Sequence, residues 1–312
     1  MKLRYIVTAA ALVSLVACND DEVFEKEQYK NVFGFVSESD NTNTKVVSLH
    51  KEESVGYMSL SMGGSNPIKR DVTVNIVEDE SLIDAYNSAN FDTDVSKYAI
   101  HMPKSKYDIV SYKCVIKAGE ALGTIPVNIR PEGLSPDSTY FIPVRIDNYD
   151  GCEMNPDKGT LLLKVAFKNR WAASTGTGYS MLGKRRNVTS TTEISMPGTK
   201  TVHAYGHNSV RVMPGNETFK ADKHTLEAKA MILEIEDTPD EVKKVTIKPV
   251  RDLKVTQIDG DKFYPNTYAI VDDGFNVYKM FLLHYYYTIG NNTYEMKEEL
   301  RIKYIESEEN EE

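Results

Sequence analysis

Apolar residues recur at every second position through much of this chain, and that period admits few folds. In Tyr57-Met-Ser-Leu-Ser-Met62, Met58, Leu60 and Met62 fall on one side and Tyr57, Ser59 and Ser61 on the other, because successive side chains of an extended strand face opposite ways. Val72, Val74 and Ile76 repeat the pattern, as do Leu161, Leu163, Val165 and Phe167, with Lys164 opposite. Further strands are expected over residues 32–36, 45–50, 107–116, 121–129 and 140–147, bounded by turns such as Lys117-Ala-Gly-Glu120 and Pro131-Glu-Gly133. Many short strands with turns between them predict a β-sandwich over 31–168. Residues 80–90 depart from the period, since Leu82, Ile83 and Tyr86 are spaced as on a helix.

The remaining ordered segment, 172–307, is also all-β. Its last strand places Tyr294, Met296, Leu300, Ile302 and Tyr304 on one face, interrupted by Glu298, with Glu295, Lys297, Glu299, Arg301 and Lys303 on the other. One face therefore belongs to a core and one to water. Three connections, Ile258-Asp-Gly-Asp261, Asp272-Asp-Gly274 and Gly290-Asn-Asn292, carry the glycine or asparagine that hairpin turns need. Consecutive hairpins predict an up-and-down, lipocalin-like β-barrel, with a second sandwich as the alternative.

The two ends read differently. Lys2 and Arg4 precede an apolar run from Tyr5 to Ala17, shorter than the ~20 residues a membrane-spanning helix needs, so 1–17 reads as a signal peptide. Leu15, Val16 and Ala17 resemble a bacterial lipobox, which makes Cys18 the lipidation site and the first mature residue. A soluble secreted protein cut nearby is the alternative. Asn19, Asp20, Asp21 and Glu22 resemble the acidic export signal of surface lipoproteins, so an outer-membrane lipid anchor and a cell-surface location are expected. Residues 18–30 form a lipidated flexible tether and 308–312 an acidic tail.

Loss of 1–17 removes two of the 37 basic residues and none of the 46 acidic ones, moving the formal charge from −9 to −11. Nucleic acid is excluded as a partner, because phosphate binding needs a concentrated positive face. Cys114 and Cys152 then remain, either to pair or to stay free.

Leu82-Ile-Asp-Ala-Tyr-Asn87, Val115-Ile-Lys-Ala-Gly-Glu120 and Tyr140-Phe-Ile-Pro-Val-Arg-Ile146 resemble the signature of an Ig-like domain of unknown function in Bacteroidetes surface lipoproteins. The same domain precedes the catalytic barrel of some family-18 endo-β-N-acetylglucosaminidases. Gly178-Tyr-Ser180 and Tyr294-Glu-Met296 are similar to the β-barrel domain of unknown function often paired with it. The resemblance implies a polysaccharide-utilisation system in which the lipoprotein sits beside a TonB-dependent transporter. No catalytic barrel follows residue 168, so hydrolysis is not carried over.

The residues themselves give no complete active site. His203 and His207 are four apart, a metal-binding spacing on a helix, but an extended strand separates them by about 13 Å. The pairs Asp92/Asp94, Asp259/Asp261 and Asp272/Asp273 sit in loops, where aspartate serves turn hydrogen bonding. No metal, cofactor or enzymatic activity is expected. Glycan binding needs only flat aromatics beside polar groups, and the candidates are Trp171, Tyr285, Tyr286 and Tyr287. On a strand Tyr285 and Tyr287 share one face and Tyr286 takes the other. Lys184, Arg185 and Arg186 form a basic patch suited to an anionic sugar or acidic loops. The sequence thus predicts a non-enzymatic lipoprotein that binds or presents glycan, with a structural or adhesive interaction protein as the alternative.

Overall fold

The computed structural model describes residues 29–220 and 222–305. The expected signal peptide (1–17), the expected lipidation site Cys18 with the acids behind it, most of the expected tether and the 308–312 tail lie outside the described residues. Strand takes 52% of the described residues and helix 10%, so the described fold is nearly all-β.

The strands of the N-terminal region are β1 (Val32–Phe35), β2 (Thr42–Ser48), β3 (Ser54–Gly63), β4 (Val72–Glu78), β5 (Ile100–His101), β6 (Tyr107–Ile109), β7 (Lys113–Ile116), β8 (Leu122–Ile129), β9 (Tyr140–Asp150), β10 (Glu153–Met154) and β11 (Thr160–Lys168). They form two layers, ordered β10-β1-β3-β8-β6 and β2-β11-β9-β4-β7, with β5 beside β9. Their inner faces make one core that includes Phe33, Leu60, Val74, Ile125, Ile142 and Phe167, as alternation in two facing sheets requires. Phe141 and Leu162 point the other way and are covered by α1 (Ser81–Phe91) through Ile83 and Tyr86. That cover explains why β9 and β11 are apolar on both faces.

The single strand expected over 107–116 is in fact two, β6 in one layer and β7 in the other. Between them Ser111 Oγ accepts from Lys113 N at 3.0 Å and donates to Lys113 O at 2.8 Å, a side-chain turn that lifts the chain across the sandwich. Cys114 is buried and Cys152 half-buried, and both thiols are free.

The C-terminal region contributes β12 (Thr177–Asn187), β13 (Glu193–Ser195), β14 (Gly198–Gly206), β15 (Ser209–Val212), α2 (Lys223–Lys229), β16 (Met231–Ile235), β17 (Val242–Pro249), β18 (Lys254–Gln257), β19 (Thr267–Asp272), β20 (Val277–Ile289) and β21 (Asn292–Lys303). Eight of these strands close a barrel in the order β12-β14-β15-β16-β17-β19-β20-β21. Closure comes from β21 pairing with β12, from Ser180 opposite Arg301 to Asn187 opposite Tyr294, which leaves the ring without an open edge. Two of the expected hairpins are present, β19–β20 around Gly274 (φ 87°) and β20–β21 around Gly290 (φ 58°). The stretch after Ile258 is not a hairpin. β18 and β19 both pair with β20, on its far and near halves, so residues 258–266 form a loop pinned by Asn266 Nδ2 donating to Ile258 O at 2.7 Å.

Asn169 anchors the passage between the two regions, its amide donating to Gly206 O and Ser209 O at 2.9 Å and its carbonyl accepting from Trp171 N and Ala172 N. Beside it, His50 of the sandwich meets His207 of the barrel, with Nδ1 and Nε2 3.0 Å apart. Burial pushes the His50 imidazole down to about 4, helped by His207 and Arg170 and opposed by Asp237. The neutral form is thus favoured in the folded protein. Its contribution to stability is present above pH 6.5 and is lost as the pH falls toward 4. His50 is only partly buried, so screening reduces the effect to about 1–2 kcal/mol. His50→Gln is therefore expected to show a melting temperature less sensitive to acid between pH 7 and 4.5, by roughly 2–8 °C. Identical acid sensitivity in the two proteins would contradict this role.

Candidate functional site

Strand alternation decides which side chains enter the barrel. Phe281, Leu283, Tyr285 and Tyr287 of β20 point inward, as do Met296, Glu298 and Leu300 of β21, all without measurable exposure. From β14 comes Lys200, whose neighbours Thr199 and Thr201 are exposed. The acid that interrupts the apolar face of β21 thus meets its counter-ion inside: Lys200 Nζ contacts Glu298 Oε2. Tyr285 Oη donates to Glu298 Oε1 at 2.8 Å and accepts from Gly215 N at 3.0 Å. Burial pushes the Lys200 ammonium down, against the pull of Glu298. Burial and then the Glu298 charge hold the Tyr285 phenol well above its usual range. Charges taken out of water this completely persist only when paired and hydrogen-bonded.

Residues 213–219 connect this network to the rim. Gly215 has φ 53°, and a Cβ there would lie 2.3 Å from Tyr287 Oη, so only glycine lets the chain come this close. Next to it Asn216 Oδ1 accepts from Arg185 at 2.9 Å, and the Arg185 guanidinium lies over the Tyr294 ring at 4.6 Å. Between this segment and the start of β14 opens a cavity of about 530 Å³, lined among others by Met181, Thr199, Lys200, Thr201, Asn216 and Phe219. Its size falls in the range of small-molecule sites, and the rim of a β-barrel is a common place for one. It combines apolar walls with hydroxyls and an amide.

The residues singled out from sequence are dispersed. Tyr285 and Tyr287 have no exposed face and cannot serve as stacking platforms. Trp171, 5% exposed, packs edge-on against Tyr268 and His50 with ring centroids 5.8 and 5.9 Å away. Tyr286 is the exception, half-buried on the outer wall. The basic patch divides by the same alternation. Arg185 faces inward to Tyr294, while Lys184 and Arg186 face outward, where Glu193 and Glu295 neutralise them. Around Arg186 and Tyr286 the outer wall holds a polar cluster, with His284 Nε2 2.9 Å from Glu295 and Lys297 2.8 Å from Asp261.

His203 and His207 do not share a site. His203 stacks on Phe219 (4.0 Å, 19°) and faces Ser174 O at 3.0 Å, while His207 turns to His50. Among the described residues no group of three or more His, Cys, Asp or Glu side chains is placed to hold a metal ion. Sequence reasoning missed Lys200, Thr199, Asn216 and Phe219. Lys200 was detectable only as a cation at an inward position of an alternating strand, two residues before Val202, and it comes to stand opposite Tyr179 only when β12 and β14 pair.

Two family models match the chain. One, described as an N-terminal domain, covers residues 24–153; the other, described as C-terminal, covers 159–301. No curated protein matches. Among solved structures, a Bacteroides ovatus protein of unknown function has a TM-score of 0.60 at 16% identity, covering 88% of this chain and 95% of its own. A multidomain Bacteroides ovatus protein that includes a domain of unknown function gives 0.60 at 15%, covering 87% and 94%. A protein of Bacteroides thetaiotaomicron described as an auxiliary nutrient binding protein gives 0.57 at 14%, covering 86% and 94%. At these identities the likeness establishes a shared fold.

Proposed function

We propose that this chain is a non-enzymatic accessory protein of glycan uptake, lipid-anchored through Cys18 to the outer membrane with its domains outward, and that it binds saccharide at the barrel rim. The observation that carries the reading is the 530 Å³ cavity beside β14, with polar groups set among Met181, Met213 and Phe219. Sugars present hydroxyls on an apolar C–H frame, and such a lining offers partners for both. The fold shared with an auxiliary nutrient binding protein supports the same class of role, and a TonB-dependent transporter is the natural partner for it.

Titration calorimetry against a panel of host and microbial polysaccharides tests the site. Thr199→Val combined with Asn216→Ala should weaken binding at least about tenfold, since two hydrogen bonds to ligand are lost. Both residues are exposed, so the melting temperature should fall only by what the exposed Arg185–Asn216 hydrogen bond contributes to stability, on the order of 1 kcal/mol. Unchanged affinity in the double variant would place the site elsewhere. The anchor is tested separately: Cys18→Ala should release the protein from the membrane fraction and abolish lipid labelling, and continued labelling would refute it.

A competing reading as an interaction protein rests on Phe263 and Phe275, 80% and 94% exposed in the loops flanking β19. Large apolar side chains held this far into water are suited to a protein surface. That reading takes over if no saccharide binds at high concentration.

A further inference from the structure

We infer that the rim cavity takes an uncharged saccharide and discriminates against acidic ones, an inference that rests on the glycan-binding reading above. Two charged side chains line the cavity, Lys200 and Glu217. Each is already matched, Lys200 by Glu298 and Glu217 by Lys229 at 3.5 Å. The other polar groups on its walls, among them Thr199, Thr201 and Asn216, are neutral donors and acceptors.

A carboxylate or sulfate entering the cavity finds one cation on its wall, Lys200, and can bind it only by drawing the ammonium from Glu298. Glu298 has no exposure and would keep Tyr285 Oη as its one remaining partner. Stranding a buried carboxylate costs more than a new, partly solvated ion pair returns. Sugar hydroxyls meet threonine and asparagine without disturbing either ion pair. The buried glutamate therefore acts against the wrong ligand rather than for the right one.

The test is calorimetry on the whole protein with mannotetraose, xylotetraose and maltotetraose as neutral probes and tetragalacturonate and a chondroitin tetrasaccharide as acidic ones. The tightest neutral probe should bind at least about tenfold better than either acidic probe. Its affinity should change less than about twofold between roughly 0.05 and 0.5 M salt. Glu298→Gln keeps the side-chain size and frees the Lys200 ammonium, so it should raise affinity for the acidic probes about tenfold, in a salt-dependent way. Acidic probes that bind the unmodified protein as well as neutral ones overturn the inference and leave the glycan reading standing. A folded Glu298→Gln protein with no gain for acidic probes also overturns it. If that variant does not fold, the comparison of probes and its salt dependence in the unmodified protein decide alone. Absence of binding by every probe and by the wider panel removes the glycan reading and this inference with it.

Discussion

Glu298→Ala is expected to destabilise the protein by about 3–5 kcal/mol, the range for breaking a buried ion pair from one side. The substitution leaves the Lys200 ammonium inside the barrel without its carboxylate, and Tyr285 Oη without its acceptor. It also opens space beside Met296 and Leu300, which share the inner face of β21. Lys200→Met together with Glu298→Leu should cost far less than the single change and come close to neutral, because an apolar pair of similar volume needs no counter-charge. Denaturant unfolding at constant pH measures both. A cost below about 1 kcal/mol for Glu298→Ala would mean that water reaches the pair and that the barrel interior is more open than described.

Trp171→Ala is the second large effect, expected at about 3–5 kcal/mol for an aromatic side chain removed from a packed core. Trp171 is 5% exposed and belongs to the barrel core with Tyr179, Tyr268 and Phe281. Its carbonyl accepts from Tyr179 Oη at 2.7 Å, and its ring also meets His50 of the sandwich. The loss should therefore fall on the barrel and on the junction together, seen as a lower and broader thermal transition. A protein that keeps its melting temperature but loses saccharide binding would show instead that Trp171 is a stacking surface.

The strand period was legible because it is local. Residues 57–62, 72–76 and 161–167 each declare an inner and an outer face without reference to anything else, and the turns at Gly274 and Gly290 declare their hairpins in the same way. Breaks at Ser111 and after Ile258 were not legible, since a chain that changes sheet or crosses beside a longer strand keeps its alternation on either side. Glu298 stood out as a charge on an apolar face, yet Lys200 lies 98 residues away, and only closure of the barrel makes them partners. The cavity was invisible for a similar reason, because it joins the start of β14 to a segment that has no regular structure. The rings of Tyr285 and Tyr287 fill the barrel interior, and the cavity at the rim is lined instead by threonines, Asn216 and the apolar Met181, Met213 and Phe219.

Hydrogen–deuterium exchange on the protein with and without a saccharide that binds in the calorimetric panel tests the central claim most directly. Protection on binding should concentrate in residues 198–201 and 213–219, the two segments that face each other across the cavity. Amides on the outer wall around Tyr286, and those of the sandwich, should exchange as before. Protection confined to the outer wall or to the sandwich, with 198–201 and 213–219 unchanged, would contradict a saccharide site at the barrel rim.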